Sequence, residues 1–192
     1  MIKLAIFASG SGTNAQQIIE HFLDSSFVSV KHIFCNRKDA YVITRANNYS
    51  IPFTIFSKKD FYSSPVILKK LLDDEIDFII LAGFLWLIPK DILKGFPNRI
   101  INIHPALLPK YGGKGMYGSY VHEAVIKNKE KQSGISIHFV NEKYDDGEII
   151  FQAKCDIDEG DTPQNLAAKI HKLEHAHFPR IIEEVVLGQS AK

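Results

Sequence analysis

Asn102 and His104 are two polar residues in a short segment that is otherwise made of isoleucine and ends at Pro105. The isoleucines predict a buried strand, in which side chains two positions apart lie on the same face. Proline has no N–H group, so it ends the strand directly after the histidine. The amide and the imidazole are therefore predicted side by side at the carboxyl end of a strand, where open α/β sheets bind ligands. Such a pair can donate two hydrogen bonds to an oxyanion; the alternative is that both residues only cap the strand.

A glycine-rich segment, Ser9-Gly10-Ser11-Gly12-Thr13-Asn14, lies between the first predicted strand and the first predicted helix. Glycines let the backbone approach a ligand, and a helix start offers unpaired N–H groups and the positive end of the helix dipole. The Thr13 and Asn14 side chains add donors, so this segment predicts a phosphate site. The alternative is an ordinary tight turn between strand and helix.

The same glycines also fit the dinucleotide pattern Gly10-x-Gly12-x-x-Ala15. That pattern expects an acidic residue at the end of the second strand, where it binds the ribose of NAD. Asn36 and Arg37 occupy this position, which argues against NAD and leaves only a weak case for NADP. A lone phosphate group is the preferred ligand.

Asp145 lies in the turn Asp145-Asp146-Gly147, between two late predicted strands. A carboxylate at this place can orient the His104 imidazole and favour its protonated form, although an aspartate beside glycine is also a common turn pattern. The segment Leu81–Pro89 is unusually apolar for a loop. It predicts either an apolar slot for a flat ligand or plain packing onto the core.

The remaining histidines carry weaker signals. His171 and His175 have i, i+4 spacing on a predicted helix, but no third ligand is evident, so no metal site is predicted. His21, His32 and His122 have no motif around them and are predicted to be surface or capping residues.

Composition narrows the class of protein. The 192 residues are 45% hydrophobic and 23% charged, which predicts one soluble domain over residues 1–192. A net charge of +1 gives no broad attraction to nucleic acid or to an anionic membrane. Cys35 and Cys155 form no disulfide framework, and no apolar run approaches the length of a membrane span. We expect a cytoplasmic protein without a signal peptide.

The front half of the chain alternates strands and helices, which predicts a parallel α/β sheet with right-handed crossovers. Strands are predicted at Leu4–Ala8, Val28–Cys35, Pro52–Phe56, Phe78–Ala82 and around Asn102. Helices are predicted after Asn14 (with Ile18, Ile19, Phe22 and Leu23 on the buried side), over Ala40–Asn48, from Ser64-Pro65 to about Asp73, and near Asp91.

The back half predicts an antiparallel pair and a closing helix. Ile135 to Val140 alternate in polarity, and the connection from Asn141 to Gly147 is too short for a crossover helix before the next strand. Thr162-Pro163 begins the last helix, and Pro179 is expected to bend or divide it before the chain leaves at Gly188.

Taken together, these landmarks resemble the glycinamide ribonucleotide formyltransferase family, a group of folate-dependent enzymes, over nearly the whole chain. They occur in order: Ser9-Gly10-x-Gly12-Thr13-Asn14, Leu81-Ala82-Gly83-Phe84, Asn102-Ile103-His104-Pro105-x-Leu107-Leu108-Pro109, Gly134-x-Ser136-x-His138-Phe139-Val140, Asp145-x-Gly147 and Glu174-His175.

The resemblance implies a doubly wound, seven-stranded sheet that is parallel except for one strand near the carboxyl end. It implies formyl transfer from 10-formyltetrahydrofolate, used as a cosubstrate without a metal, to glycinamide ribonucleotide in purine synthesis. Asn102, His104 and Asp145 match the catalytic trio, with protonated His104 and Asn102 binding the oxyanion. The implied binding residues are Gly10, Ser11, Gly12, Thr13, Asn14 and Glu174 for the ribonucleotide, and Phe84, Leu85, Trp86, Leu87, Ile88, Asn141 and Asp145 for the folate. Residues up to about 100 would mainly bind the ribonucleotide, and those from about 101 would supply the catalytic and folate-binding elements.

The chain departs from the family pattern at two places. Trp86 stands where many relatives carry arginine, which makes the implied folate slot more apolar. The glycine-rich stretch from Gly112 to Gly118 is about four residues longer than in familiar members and suggests a mobile flap that carries Lys114.

Other activities remain as alternatives. A transfer-RNA formyltransferase would normally carry an additional basic domain, and a formyltetrahydrofolate hydrolase an additional regulatory domain, neither of which is expected in this chain. An NADP oxidoreductase and a non-catalytic nucleotide or folate binder are the rivals from other classes.

Overall fold

The computed structural model describes residues 1–190, in which seven strands form one sheet in the order β3-β2-β1-β4-β5-β6-β7. The strands are β1 (Ile2–Ala8), β2 (Val28–Cys35), β3 (Phe53–Ile55), β4 (Phe78–Leu81), β5 (Ile100–His104), β6 (Gln132–Phe139) and β7 (Ile149–Asp156). Neighbours from β3 to β5 pair parallel, whereas β6 pairs antiparallel with both β5 and β7. A single strand is therefore reversed, which confirms the predicted fold class.

Seven helices of the described chain cover both faces of the sheet. They are α1 (Thr13–Phe22), α2 (Val42–Asn48), α3 (Lys58–Tyr62), α4 (Val66–Asp73), α5 (Lys90–Gly95), α6 (Ser119–Lys127) and α7 (Pro163–Ser190). On one face, α1 and α7 bury side chains such as Ile18 and Ile170 in an apolar core that α2 and α6 also join. On the other, α3, α4 and α5 bury Phe61, Ile67 and Ile92 in a second core. The sheet is thus doubly wound, as expected for a central sheet whose strands are apolar on both faces.

The pairing of β5 with β6 fixes the surroundings of the two polar residues singled out above. Asn102 lies opposite His138 and His104 lies opposite Ser136 in the antiparallel register. Ile101 and Ile103, the two neighbours of Asn102 in sequence, belong to the first core, so Asn102 and His104 share the other face as the two-residue period requires.

Two helices were not predicted. Helix α3 begins with a capping box, in which the Ser57 hydroxyl accepts from the Asp60 N–H and the Asp60 carboxylate accepts from the Ser57 N–H. Helix α6 buries Val121 and Val125 one turn apart, a helical period that the sequence does contain.

Two expectations about helices need correction. Of the two outcomes expected at Pro179, division does not occur, because helix α7 continues through Pro179, and it also runs past Gly188 to Ser190. The buried side chains of Phe178, Ile181 and Ile182 hold both sides of the proline on the core, and their burial offsets the loss of one helical hydrogen bond. Leu23 is 64% exposed, because α1 ends at the preceding residue and Leu23 is already in its cap. No helix within residues 1–190 is both long and apolar enough to cross a membrane.

Candidate active site

The carboxyl ends of β1, β4 and β5 open into a cleft of about 350 Å³. Parallel strands end at the same edge of a sheet, so the loops that follow them meet there. The loop after β1 and the loop after β4 are joined directly: the Ser9 N–H donates to the Gly83 carbonyl (3.1 Å), and the Ser9 hydroxyl accepts from the Leu85 N–H (3.2 Å). These bonds bring the glycine-rich segment to one end of the cleft.

This glycine-loop end, defined by Gly10 to Asn14 and Glu174, is built around a backbone turn at Gly12. Gly12 has a φ of +73°, and a Cβ placed there would approach the Val42 side chain to 2.6 Å and its Cα to 3.0 Å. Only glycine therefore fits this position without strain. Helix α1 begins at the next residue, so the first N–H groups of α1, which have no partner within the helix, face the cleft.

Glu174 reaches this end from helix α7 and is 5% exposed. Its Oε2 atom accepts from the Asn14 amide (3.0 Å) and from the His171 Nδ1 (2.9 Å). The hydrogen bond to Glu174 raises the pKa of His171 above its usual value. The Asn14 Oδ1 atom is buried and has no partner among the described residues, which leaves an acceptor for a ligand hydroxyl. The predicted ribonucleotide residues are therefore brought together.

Asn102, His104 and Asp145 also meet in the cleft. The two oxygens of the Asp145 carboxylate face the two side chains separately: Oδ1 lies 3.5 Å from the Asn102 Nδ2, and Oδ2 lies 3.5 Å from the His104 Nδ1. Both distances exceed those of an ordinary charge-assisted hydrogen bond. The Asn102 amide and the His104 imidazole thus converge on one negative group without being saturated by it.

His138 fixes the orientation of Asn102. Its Nδ1 donates to the Phe139 carbonyl (2.7 Å), so in the neutral ring Nε2 is the acceptor for the Asn102 amide (3.0 Å). The remaining N–H of that amide is the one directed toward Asp145. The sequence motif contained His138, but no role had been predicted for it.

His104 is held by a backbone carbonyl. Its Nε2 donates to the Tyr111 carbonyl at 2.8 Å. Burial lowers the pKa of His104, and this effect outweighs the opposing influence of the Asp145 carboxylate and the Tyr111 carbonyl. The lowered pKa favours the neutral imidazole, because desolvation of the charged ring is the larger effect, while Asp145 acts toward the protonated form as expected from the sequence.

Asp145 remains a carboxylate. Burial acts to raise its pKa, but the His138 and His104 imidazoles and the Gly113 N–H hold it below the usual value. The Gly113 N–H donates to Oδ2 at 2.9 Å. A negatively charged group and a neutral imidazole thus stand together, an arrangement suited to accepting a proton on His104 and stabilising it there.

Only some of the residues predicted to bind folate line the cleft. Phe84 and Leu85 line the cleft together with Tyr144 and form what we call its aromatic end, close to Asp145. Trp86, Leu87, Ile88 and Asn141 do not line it. The Trp86 ring packs among Phe56, Phe61, Tyr62 and Phe84, and the Asn141 amide contacts Asp146.

The extended glycine-rich stretch crosses the cleft between β5 and α6. Gly113, Met116, Tyr117 and Gly118 line the cleft, whereas Lys114 does not. The Met116 N–H donates to the Gly113 carbonyl (3.1 Å), so this stretch contains a turn directly beside Asp145.

Two histidines predicted to lie at the surface or in caps are buried. His122 is 5% exposed, lines the cleft, and has an Nδ1 atom without a partner among residues 1–190. His32 is 4% exposed and bonds Thr54 (2.8 Å) and Asp74 (3.0 Å) beneath the sheet edge. Sequence alone did not place them because each depends on packing between distant elements. His21 is exposed, as predicted.

The described residues contain no group of three or more His, Cys, Asp or Glu side chains placed to hold a metal ion. The His171 and His175 rings stack with centroids 6.2 Å apart, and the His171 Nδ1 is taken by Glu174. His171 lines the cleft beside Glu174, whereas His175 does not line it.

A family model described as formyl transferase matches residues 2–182. The chain belongs to the formyl transferase family.

Named relatives of this formyl transferase are similar along nearly all of its length. The chloroplastic phosphoribosylglycinamide formyltransferase of Arabidopsis thaliana is 40% identical over 186 residues, which cover 94% of this chain and 64% of the relative. The phosphoribosylglycinamide formyltransferase of Bacillus subtilis (strain 168) is 35% identical and covers 97% of this chain and 95% of the relative. A crystal structure of phosphoribosylglycinamide formyltransferase from Bacillus halodurans has a TM-score of 0.86 at 33% identity, over 96% of this chain and 95% of that one.

The similarity to the solved structure explains why one cleft of this formyl transferase gathers most of the residues marked by the sequence. The fold places the ends of β1, β4 and β5 at one edge, and the matching family model spans all three of these strands. The glycine loop of this formyl transferase thus belongs to a formyl-transferring fold and not to a dinucleotide oxidoreductase.

Proposed function

We propose that this formyl transferase transfers the formyl group of 10-formyltetrahydrofolate to the amino group of glycinamide ribonucleotide, a step in purine biosynthesis. The names of the relatives support this substrate pair. The convergence of Asn102, His104 and Asp145 in one cleft with the glycine-rich loop at the start of α1 is the observation that carries the proposal.

The ribonucleotide occupies the glycine-loop end in this proposal. Its phosphate binds the N–H groups from Gly10 to Asn14 at the start of α1, where the helix dipole favours an anion. Glu174 accepts hydrogen bonds from the ribose hydroxyls, because its carboxylate is buried and its Oε1 atom has no bond within the described chain. Most ribonucleotide-binding groups then lie in residues 1–100, and Glu174 is the exception.

The reduced folate enters at the aromatic end. Phe84, Leu85 and Tyr144 provide apolar surface for its flat ring, and the Asn141–Gly147 loop supplies Asp145. We assign Trp86 and Ile88 a supporting part, because they belong with Phe84 to the same apolar core, and Leu87 the same part as their neighbour in sequence.

The reaction begins when the substrate amine attacks the formyl carbon and forms a C–N bond. The carbonyl oxygen becomes an oxyanion, which accepts a hydrogen bond from the Asn102 N–H that faces Asp145. The Nδ1 atom of His104 carries no proton in the neutral ring, because Nε2 donates to the Tyr111 carbonyl. Nδ1 therefore takes the proton that the amine loses, and the resulting imidazolium stands next to Asp145 and can then donate to the oxyanion. The bond from the formyl carbon to the folate nitrogen then breaks, and the proton passes to that nitrogen, directly or through one water, so protons and charge balance.

The test mixes purified protein with 10-formyltetrahydrofolate and follows folate absorbance with and without glycinamide ribonucleotide. We expect loss of the formyl group only when the ribonucleotide is present. Loss without an acceptor would indicate a hydrolase and would overturn the transferase proposal. Binding of both molecules without loss would indicate a binding protein. Replacement of the ribonucleotide by aminoacylated transfer RNA is the control for the related activity.

A further inference from the structure

A second cavity lies outside the cleft, between the end of α6, the start of β6 and the loop after β5. Its volume is about 570 Å³, and none of its lining residues lines the cleft. We call it the lysine pocket, after Lys110, Lys129 and Lys131 at its border. Leu107 and Val125 give it apolar wall.

The lysine pocket carries an excess of positive charge. Glu130 accepts from Lys110 (3.0 Å) and from the Tyr111 hydroxyl (2.9 Å). The Asp156 carboxylate accepts from Gln132 (2.9 Å), which is neutral, so Asp156 keeps its charge. Three lysines against two carboxylates leave a net charge of +1. Lys129 and Lys131 are exposed, and neither ammonium group has an ion-pair partner within residues 1–190.

A buried hydroxyl completes the pocket. Ser133 is 3% exposed, lines the cavity, and its Oγ atom has no hydrogen-bond partner in the described chain. A buried polar group without a partner is rare and costly in folded proteins. Two free cations and one unsatisfied donor beside apolar wall are suited to a small dianion that carries an organic part.

Tyr111 connects this pocket to the cleft. Its side chain lines the lysine pocket, and its hydroxyl donates to Glu130 and accepts from Asn128 (2.9 Å). Its carbonyl is the acceptor for the His104 Nε2. Tyr111 has a φ of +57°, a left-handed conformation that surrounding contacts must maintain, so the contacts of its side chain help to hold its carbonyl in place.

We propose that the lysine pocket is a second ligand site, that it binds a phosphate monoester through Lys129, Lys131 and Ser133, and that occupancy adjusts His104 through Tyr111. The adjustment rests on the proposed function, because it acts on the proposed catalytic imidazole. Binding itself does not depend on that function.

Binding is tested by titration calorimetry with inorganic phosphate and with adenosine monophosphate, on protein whose cleft is filled with saturating glycinamide ribonucleotide. We expect binding of the monophosphate to weaken about tenfold or more in the double variant Lys129→Gln/Lys131→Gln, and to weaken in Ser133→Ala. The matched control Lys59→Gln/Lys94→Gln removes the same charge from α3 and α5 and leaves binding unchanged. Absence of binding at about 1 mM ligand, or equal binding by the Lys129/Lys131 variant, would overturn the site.

Coupling is tested by the pH dependence of kcat at saturating substrates, with and without adenosine monophosphate. The groups that influence His104 are Asp145, the Tyr111 carbonyl, His138 and Glu174, and only Tyr111 also lines the lysine pocket. We expect the ligand to shift the acidic limb of the profile in the unmodified protein and not in Lys129→Gln/Lys131→Gln, whose activity without ligand is unchanged. A ligand that only raises the KM for the ribonucleotide competes in the cleft and contradicts the coupling. If the protein does not transfer the formyl group at all, the proposed function fails while calorimetry still decides the pocket.

Discussion

The glycine-loop end and the aromatic end of the cleft are built in different ways. At the first, the groups that face a ligand are backbone N–H groups, the Asn14 amide and the buried Glu174 carboxylate, placed by a turn that only Gly12 permits. At the second, Phe84 lines the cleft and packs against Trp86 and Phe61 in an aromatic cluster, and only Leu85 among the predicted folate residues from Phe84 to Ile88 is strongly exposed. One end is preorganised by backbone and the other by core packing.

Because the two ends are built differently, we expect substitutions at each end to change ligand binding and stability in different ways. A change in the glycine loop should affect ligand binding and stability together, because the same turn serves both. At the aromatic end, the exposed and the buried side chains should separate the two effects. Substitutions near Asp145, between the two ends, should lower the rate of the chemical step more than substitutions at either end.

The largest effect is expected where the two ends meet. Asn102→Ala and Asp145→Asn should each lower kcat by about 100-fold or more, since a preorganised donor or its charge partner is lost. Asparagine tolerates the φ of +52° at Asp145. Steady-state kinetics provide the measurement, and circular dichroism checks folding. Asp146→Asn is the matched control, because Asp146 does not line the cleft. Normal turnover in folded Asn102→Ala and Asp145→Asn would remove the basis for the catalytic trio.

The next effect concerns the glycine-loop end. Gly12→Ala should lower the free energy of unfolding by about 2 kcal/mol or more through the strained φ and the contact with Val42, a fall in Tm of roughly 4–8 °C. It should also raise the KM for the ribonucleotide. At Gly10 a Cβ meets nothing within 4 Å, so Gly10→Ala should keep the Tm. Equal Tm values for Gly12→Ala and Gly10→Ala would show that the turn at Gly12 does not require glycine.

At the aromatic end we expect smaller effects, with one substitution lowering stability and another weakening folate binding. Trp86→Ala should lower the free energy of unfolding by about 2 kcal/mol, because it opens a gap in the aromatic cluster. Leu85→Ala should raise the KM for the folate about threefold to tenfold through lost apolar contact, with little change in Tm because Leu85 is 40% exposed. Chemical denaturation and folate titration measure the two quantities. If Trp86→Ala instead changes only the folate KM, the comparison of the two ends is wrong.

The smallest effect is a pH dependence of stability near the cleft. Burial lowers the pKa of His122 below its ordinary value of 6.5, and His171 adds to this. The unfolded chain then binds more protons than the folded one as the pH falls below about 6.5, so this contribution to stability is lost on acidification. We expect a lower Tm at pH 5.5 than at pH 7.5, and a smaller difference in His122→Asn. His21→Asn, at an exposed position, is the control. If His122→Asn shows the same difference in Tm between pH 5.5 and pH 7.5 as the unmodified protein, His122 is not the cause of the pH dependence.

The glycine turn and the shared face of Asn102 and His104 could be predicted from the sequence, because each depends on a local pattern: glycines between a strand and a helix, and the two-residue period of β5. The contact of Glu174 with Asn14 depends on the folded chain. The aromatic end could not be predicted, because whether Trp86 points to the cleft or to the core depends on Phe56 and Phe61, which are far away in sequence. The charge of His104 could not be predicted either. It depends on burial, and burial is a property of the folded chain.

The bond from Asn14 to Glu174 joins residues 160 positions apart. During synthesis, β1 and the glycine loop emerge first, and they remain without this partner until α7 has left the ribosome. Loop closure over such a distance carries an entropic cost that only the completed core can repay. The glycine-loop end therefore reaches its binding-competent form among the last parts of the molecule to do so, although its sequence is translated among the first.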